Sequence, residues 1–210
     1  MMTSVISIKS VAKGGWGLYK HHFFKLLPFS IFVAGLELLF QLHIAGMILY
    51  QLLFDAVLNA GFFYYFLAQE KGQAGAFHFS DFFRGFKRIF DLLVLAILLN
   101  VRVFFGFILL IIPAFYLMNV FSQSIFLLLE EKGDPFEVLK MSRDLVKPQF
   151  WRVLNTNGLI LTLSLPEMFS GPDTAAASPF FFAWSVLVSP LAAACAFCLY
   201  RQIMPRNAHT

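Results

Sequence analysis

The side chains best able to do chemistry in this chain are ionisable groups set inside long apolar runs. Glu37, Asp55 and Arg102 stand among Phe, Leu, Ile and Val, with Asn59, Asn100, Asn119 and Gln123 within a turn or two of the same level. An ionisable group at membrane depth costs about 2.5 to 3.5 kcal/mol even on lenient insertion scales, so it must be paired, neutral or hydrated. Two arrangements satisfy that demand. Arg102 can balance Glu37 or Asp55 in a polar pocket that receives an anionic ligand or relays protons; alternatively the same groups form a buried ion pair with hydrogen bonds that fix helix register. Glu37, Asp55, Arg102, Asn119 and Gln123 therefore make up the candidate intramembrane polar cluster, and Arg102 is expected to pair with one of the two acids. Its long side chain could instead reach outward to the headgroups.

The remaining reactive residues read as packing. Cys195 and Cys198 form a Cys-x-x-Cys, but it lies in an apolar stretch without a second ligand pair, so small packing residues are the better reading than a redox or zinc motif. Ser185, Ser189 and Ala193 recur every four residues on the same helix. Such a stripe suits close helix contact, inside the chain or, as the alternative, with another membrane protein or a second copy. His21 and His22 stand where the first span begins and read as interfacial anchors. Phosphate-binding glycine loops, His-Glu-x-x-His, Gly-x-Ser-x-Gly and nucleotide fingerprints are missing from the sequence. No catalytic residue, metal or cofactor is assigned, and the chain is not expected to be an enzyme.

The elements that must position these groups follow from composition. Of 210 residues, 59% are apolar, 18% aromatic and only 13% charged, and the mean hydropathy is +0.74. Soluble domains carry roughly 25% charged residues, so the chain reads as a membrane protein, and a disulfide-stapled scaffold or a disordered chain is excluded. The apolar blocks divide into six expected spans, about 24–43, 47–68, 91–111, 113–130, 153–169 and 180–200. Pro113 marks a helix start, since proline fits the first turn and not the interior. The fold class is all-α: a polytopic membrane protein with six transmembrane helices in three hairpins, forming a single domain over 1–210.

Fifteen of the sixteen Lys and Arg fall in the first segment, the second and fourth connections and the tail, and Arg102 is the exception. Basic residues beside a span resist transfer across the membrane, so both termini are expected to be cytoplasmic. The formal charge of +4 thereby belongs to a membrane surface, and no nucleic-acid partner is expected. Two connections are amphipathic. Between Ser80 and Phe90, Phe82, Phe83, Phe86 and Ile89 oppose Asp81, Arg84, Lys87 and Arg88; between Asp134 and Lys147, a capping box of Asp134 and Glu137 with Pro135 at the first position announces a helix. Both are expected to lie in the cytoplasmic headgroup layer with their cations on anionic lipid. The stretch around Val5, Ile8 and Val11 follows the same pattern, interrupted by Gly14 and Gly15.

The runs Phe79-Ser80-Asp81-Phe82-Phe83-Arg84-Gly85-Phe86, Ile112-Pro113-Ala114-Phe115-Tyr116-Leu117, Glu137-Val138-Leu139-Lys140-Met141-Ser142, Lys147-Pro148-Gln149-Phe150-Trp151-Arg152-Val153 and Pro190 with Leu199-Tyr200 carry a resemblance. In these the chain resembles the YciC-like group of bacterial six-pass integral membrane proteins, related to the membrane domain of glycerophosphodiester phosphodiesterase. Ala114 and Pro148-Gln149 stand where that group usually has glycine. The resemblance implies the six-span topology and a bacterial cytoplasmic membrane location, and it transfers no catalytic residue. The expected function is handling or transport of a lipid or small amphiphile, or adjustment of the bilayer. The alternative is an accessory or scaffold subunit packing against another membrane protein.

Overall fold

A computed structural model describes residues 7–41, 43–50, 54–72, 78–109, 111–168 and 179–204. The described residues form helices α1 (Ile8–Gln41), α2 (Ile44–Leu49) and α3 (Asp55–Glu70), then a 3-10 helix (Phe79–Arg88) that runs into α4 (Ile89–Leu109). They continue with α5 (Ile111–Val120), α6 (Ser124–Leu129), α7 (Pro135–Val146), a short 3-10 turn (Lys147–Gln149), α8 (Phe150–Met168) and α9 (Pro179–Ile203). Among them there is no strand.

Among the described residues, four stretches are long and apolar enough to cross a membrane: Ile8–Phe40, Phe79–Gly106, Ile112–Leu129 and Pro179–Ile203. The other two expected spans fall on α3 and α8. The described part of α3 has 16 residues, about 24 Å at the helical rise against a hydrocarbon core of about 30 Å. Helix α8 has 19 residues, but Asn155, Thr156, Asn157, Thr162 and Ser164 dilute its apolar character.

Helix α1 corrects the expectation of a separate N-terminal surface helix, because it runs unbroken through Gly14 and Gly15 for 34 residues. These glycines mark a contact, not an end. A Cβ on Gly15 would lie 2.5 Å from Cys195 Sγ and 2.9 Å from the Cys195 Cα, and one on Gly14 would lie 3.2 Å from Cys198 Sγ. The Cys-x-x-Cys is thus the surface against which α1 packs, and both thiols are free. The helices run antiparallel, for Ser10 Oγ donates to Gln202 Oε1 at 3.2 Å near one end and Ser30 Oγ donates to the Val186 carbonyl at 2.6 Å further along. The start of α1 and the end of α9 therefore share one end of the bundle, here called the proximal end.

The segment 79–88 is helical as expected but wound as 3-10, in which side chains three apart eclipse and Phe79 and Phe82 form one row. Asp81 Oδ2 accepts from the His78 N–H at 2.7 Å and caps it. Its apolar face is divided, with Phe79 and Phe86 exposed and Phe82 packed into the protein. Phe82, 3% exposed, stacks on Phe29 of α1 at a centroid distance of 4.3 Å and on Tyr65 of α3 at 5.6 Å. Gly61 makes room for this, since a Cβ there would lie 2.6 Å from the Phe82 carbonyl oxygen.

Helix α7 begins as the capping box requires: Asp134 Oδ1 accepts from Phe136 N–H at 2.8 Å and Glu137 N–H at 2.9 Å. Its buried face, Val138, Leu139, Ser142 and Val146, packs on α6 and on neighbouring helices. The expected continuous span 113–130 is instead broken at 121–123, between α5 and α6. Asn119, Ser122, Gln123 and Ser124 compete with the helix for backbone partners. Ser122 Oγ donates to the Asn119 carbonyl at 2.8 Å, Ser124 Oγ to the Phe121 carbonyl at 2.7 Å, and Ser142 Oγ of α7 to the Val120 carbonyl at 2.8 Å. Irregular backbone at membrane depth persists only where protein satisfies it, as these hydroxyls do. Helices α4 and α5 approach closely at Gly106, where a Cβ would lie 2.9 Å from the Ala114 Cα.

Candidate functional site

A pocket of about 350 Å³ opens between α3 and α4, with Ile125 of α6 also in its wall. Asp55, Asn59 and Asn100 give it a polar part, and Phe63, Leu92 and Leu95 an apolar part. These positions sort by depth. Glu70 ends α3 at the proximal end, so Asp55 lies about 22 Å from that end at the helical rise, whereas Leu92 is barely past the start of α4. The polar groups therefore occupy the distal part of the pocket, beside Ala56 and Leu99, and the proximal part is apolar.

The hydrogen bonds of the polar part are local. Asn59 Nδ2 donates to Asp55 Oδ1 at 2.7 Å and to the Asp55 carbonyl at 3.0 Å, one turn away on the same helix. Asn100 Nδ2 donates to the Ala96 carbonyl at 2.9 Å. The carboxylate thus has an amide partner and no cation among the residues lining the pocket.

The structure divides the candidate polar cluster. Asp55 lines the pocket. Arg102, half-buried on α4, holds its guanidinium 5.1 Å from the Phe121 ring centroid in a cation–π contact. Two residues along a helix is a rotation of about 200°, so Asn100 and Arg102 leave α4 in opposite directions. The expected pairing of Arg102 with Asp55 is replaced by these two arrangements. Glu37 is half-buried on α1, has partners of its own and does not line the pocket. Asn119 and Gln123 are buried at the α5–α6 break. Asn119 Nδ2 donates to the Phe115 carbonyl at 2.9 Å while its Oδ1 accepts from Asn157 of α8 at 3.0 Å, and Gln123 Nε2 donates to Ser122 Oγ at 2.9 Å.

An ionic network at the proximal end escaped the sequence reading. Arg201 pairs through Nη2 with Glu70 and, at 2.6 Å, with Glu130 Oε1. Tyr200 Oη donates to Glu130 Oε2 at 2.9 Å, and Arg88 Nη1 donates to the Leu128 carbonyl at 2.8 Å. The network ties the ends of α3, α6 and α9 to the start of α4. Its signal lay in the sequence as Glu70, Glu130 and Arg201, each closing an apolar run that approaches the same side. His22 is also no surface anchor: it is 5% exposed, with its Nδ1 2.9 Å from the Tyr65 hydroxyl. A second depression of about 720 Å³, beside α7 and the start of α8, is lined by Lys147, Trp151, Arg152 and Ile203.

Among the described residues, fold and site together define an all-helical protein with four stretches able to cross a membrane and a pocket between α3 and α4 that is polar at one end. Compared with models of known protein families, with curated proteins and with solved structures, the chain matches none.

Proposed function

We propose that the protein is a six-pass protein of a bacterial cytoplasmic membrane, of the YciC-like kind, that binds a small amphiphile in the pocket between α3 and α4 as part of lipid or amphiphile handling. The observation that carries this reading is the pocket itself. Its volume of about 350 Å³ falls in the range of small-ligand sites, which are mostly apolar with a few placed polar groups. An amphiphile lying along α3 and α4 would set its head against Asp55, Asn59 and Asn100 and its chain along Phe63, Leu92 and Leu95. Binding rather than catalysis suits walls in which, among the described residues, no nucleophile is paired with a base.

In this reading α3 and α8 complete six spans in three hairpins, and the proximal end is cytoplasmic. The antiparallel α1–α9 pair supports a common side for both termini, and Lys9, Lys13, Arg88, Lys147, Arg152 and Arg201 gathered toward that end support the side chosen. Lys147 and Arg152, flanked by exposed Trp151, suit the headgroup of an anionic lipid at that face.

Native mass spectrometry of the protein released from bilayer nanodiscs tests the reading. Wild type should retain an amphiphile that Ala96→Phe, which fills the pocket from α4, does not. An identical retained set in a folded Ala96→Phe protein would overturn it.

A further inference from the structure

The donor and acceptor inventory of the pocket names the class of head it takes, an inference that rests on the amphiphile reading above. Asn59 Nδ2 has two hydrogens, and both are spent on Asp55, on Oδ1 at 2.7 Å and on the main-chain carbonyl at 3.0 Å. Asn100 Nδ2 spends one hydrogen on the Ala96 carbonyl at 2.9 Å and keeps one. What these side chains still offer a ligand is mostly acceptor: Asp55 Oδ2, Asn59 Oδ1 and Asn100 Oδ1. Among the described residues no Lys, Arg or His lines the pocket, and Arg102, the basic residue nearest along α4, points away to Phe121.

We propose that the pocket binds the protonated primary amine of a cationic amphiphile, with the ammonium on Asp55 and its hydrocarbon chain along Phe63, Leu92 and Leu95. An ammonium has three donors and no acceptor, the complement of three free acceptor oxygens. It also supplies the positive charge that a carboxylate withdrawn from water requires. A carboxylate or phosphate head would meet acceptors and a like charge, and a hydroxyl head could satisfy one acceptor of the three. The proximal wall, built from Phe and Leu, suits an alkyl chain, which a small hydrated inorganic cation lacks.

The test uses the purified full chain in dodecylmaltoside micelles, titrated calorimetrically with dodecylammonium, dodecanol and dodecanoate, which share a chain and differ in the head. Dodecylammonium should bind at least tenfold more tightly than dodecanol, and dodecanoate more weakly than either. Asp55→Asn should bring dodecylammonium down to the affinity of dodecanol, a loss of about tenfold or more. Asn100→Leu, at an exposed position, gives an independent reading and should weaken dodecylammonium selectively. Ala96→Phe should abolish binding of all three. Equal affinity of wild type for the three heads, lost in Ala96→Phe, would overturn the amine assignment and leave the pocket standing. Binding of any of them that survives undiminished in Ala96→Phe would overturn the pocket, and an absence of dodecylammonium binding to wild type would overturn the proposal outright.

Discussion

Arg201→Met should cost about 3 to 5 kcal/mol of stability, the range for removing one partner of a buried ion pair. The structure sets this magnitude through what is left behind. Glu130 has 7% of its side chain exposed and Arg201 16%, so neither charge is screened as a surface pair would be. Without Arg201, the Glu130 carboxylate keeps one neutral hydrogen bond, from Tyr200 at 2.9 Å. It also faces Glu70, because both acids accept from the same guanidinium nitrogen. Glu130→Gln is the milder change, at about 1 to 2 kcal/mol, since Arg201 keeps Glu70 and the amide oxygen can still accept from Tyr200. Arg201→Met combined with Glu130→Gln should then be more stable than Arg201→Met alone by about 2 kcal/mol, because the stranded charge is gone. Reversible unfolding in mixed micelles, titrated with a denaturing detergent, measures all four corners of the cycle. A cost below about 1 kcal/mol for Arg201→Met, or strict additivity of the two changes, would refute the claim that this network clamps the proximal end.

Three further perturbations probe the packing. Gly15→Leu must force the α1 and α9 backbones apart at Cys195, whereas Gly17→Ala, with open space around it, should be nearly neutral; a thermal-unfolding comparison of the two checks the contact, with a large loss expected for the first alone. Phe82→Ala removes a ring stacked between Phe29 and Tyr65 and should cost about 3 to 5 kcal/mol in the same assay. Ser142→Ala leaves the Val120 carbonyl at the α5–α6 break without its hydroxyl donor, so a loss of about 1 to 3 kcal/mol is expected, together with faster hydrogen exchange at the backbone amides of 121–124.

What could be read ahead of the structure was whatever depends on neighbours in sequence. The start of α7 is fixed by Asp134, Pro135 and Glu137 within four residues, and it forms as those residues demand. The four long apolar stretches among the described residues follow from composition, which needs no partner to be read. Gly14 and Gly15 fail that test: a helical glycine costs about 1 kcal/mol relative to alanine, which the sequence displays as a weak point. The compensating approach of Cys195 comes from the far end of the chain. Phe82, Phe83, Phe86 and Ile89 were legible as one face, but that Phe29, Gly61 and Tyr65 would receive Phe82 was not.

The polar layer shows most clearly where such reading stops. Depth along a helix follows from counting, so Asp55, Asn59 and Asn100 could be placed near one level before any contact was known. Direction around the axis follows only once a helix has neighbours. An Asp and an Asn four apart share a face and lie within reach of each other, and Asp55 with Asn59 satisfies its first need there, at no cost in tertiary order. That local bond removes the urgency for Asp55 to find a distant cation and frees α4 to turn Asn100 toward the pocket. The rotation that does so carries Arg102 to the other side, where the electron-rich face of Phe121 takes the guanidinium. A pocket whose carboxylate has an amide neighbour and, among the described residues, no cation in its walls is the direct consequence, and it is this arrangement that suits a cationic head.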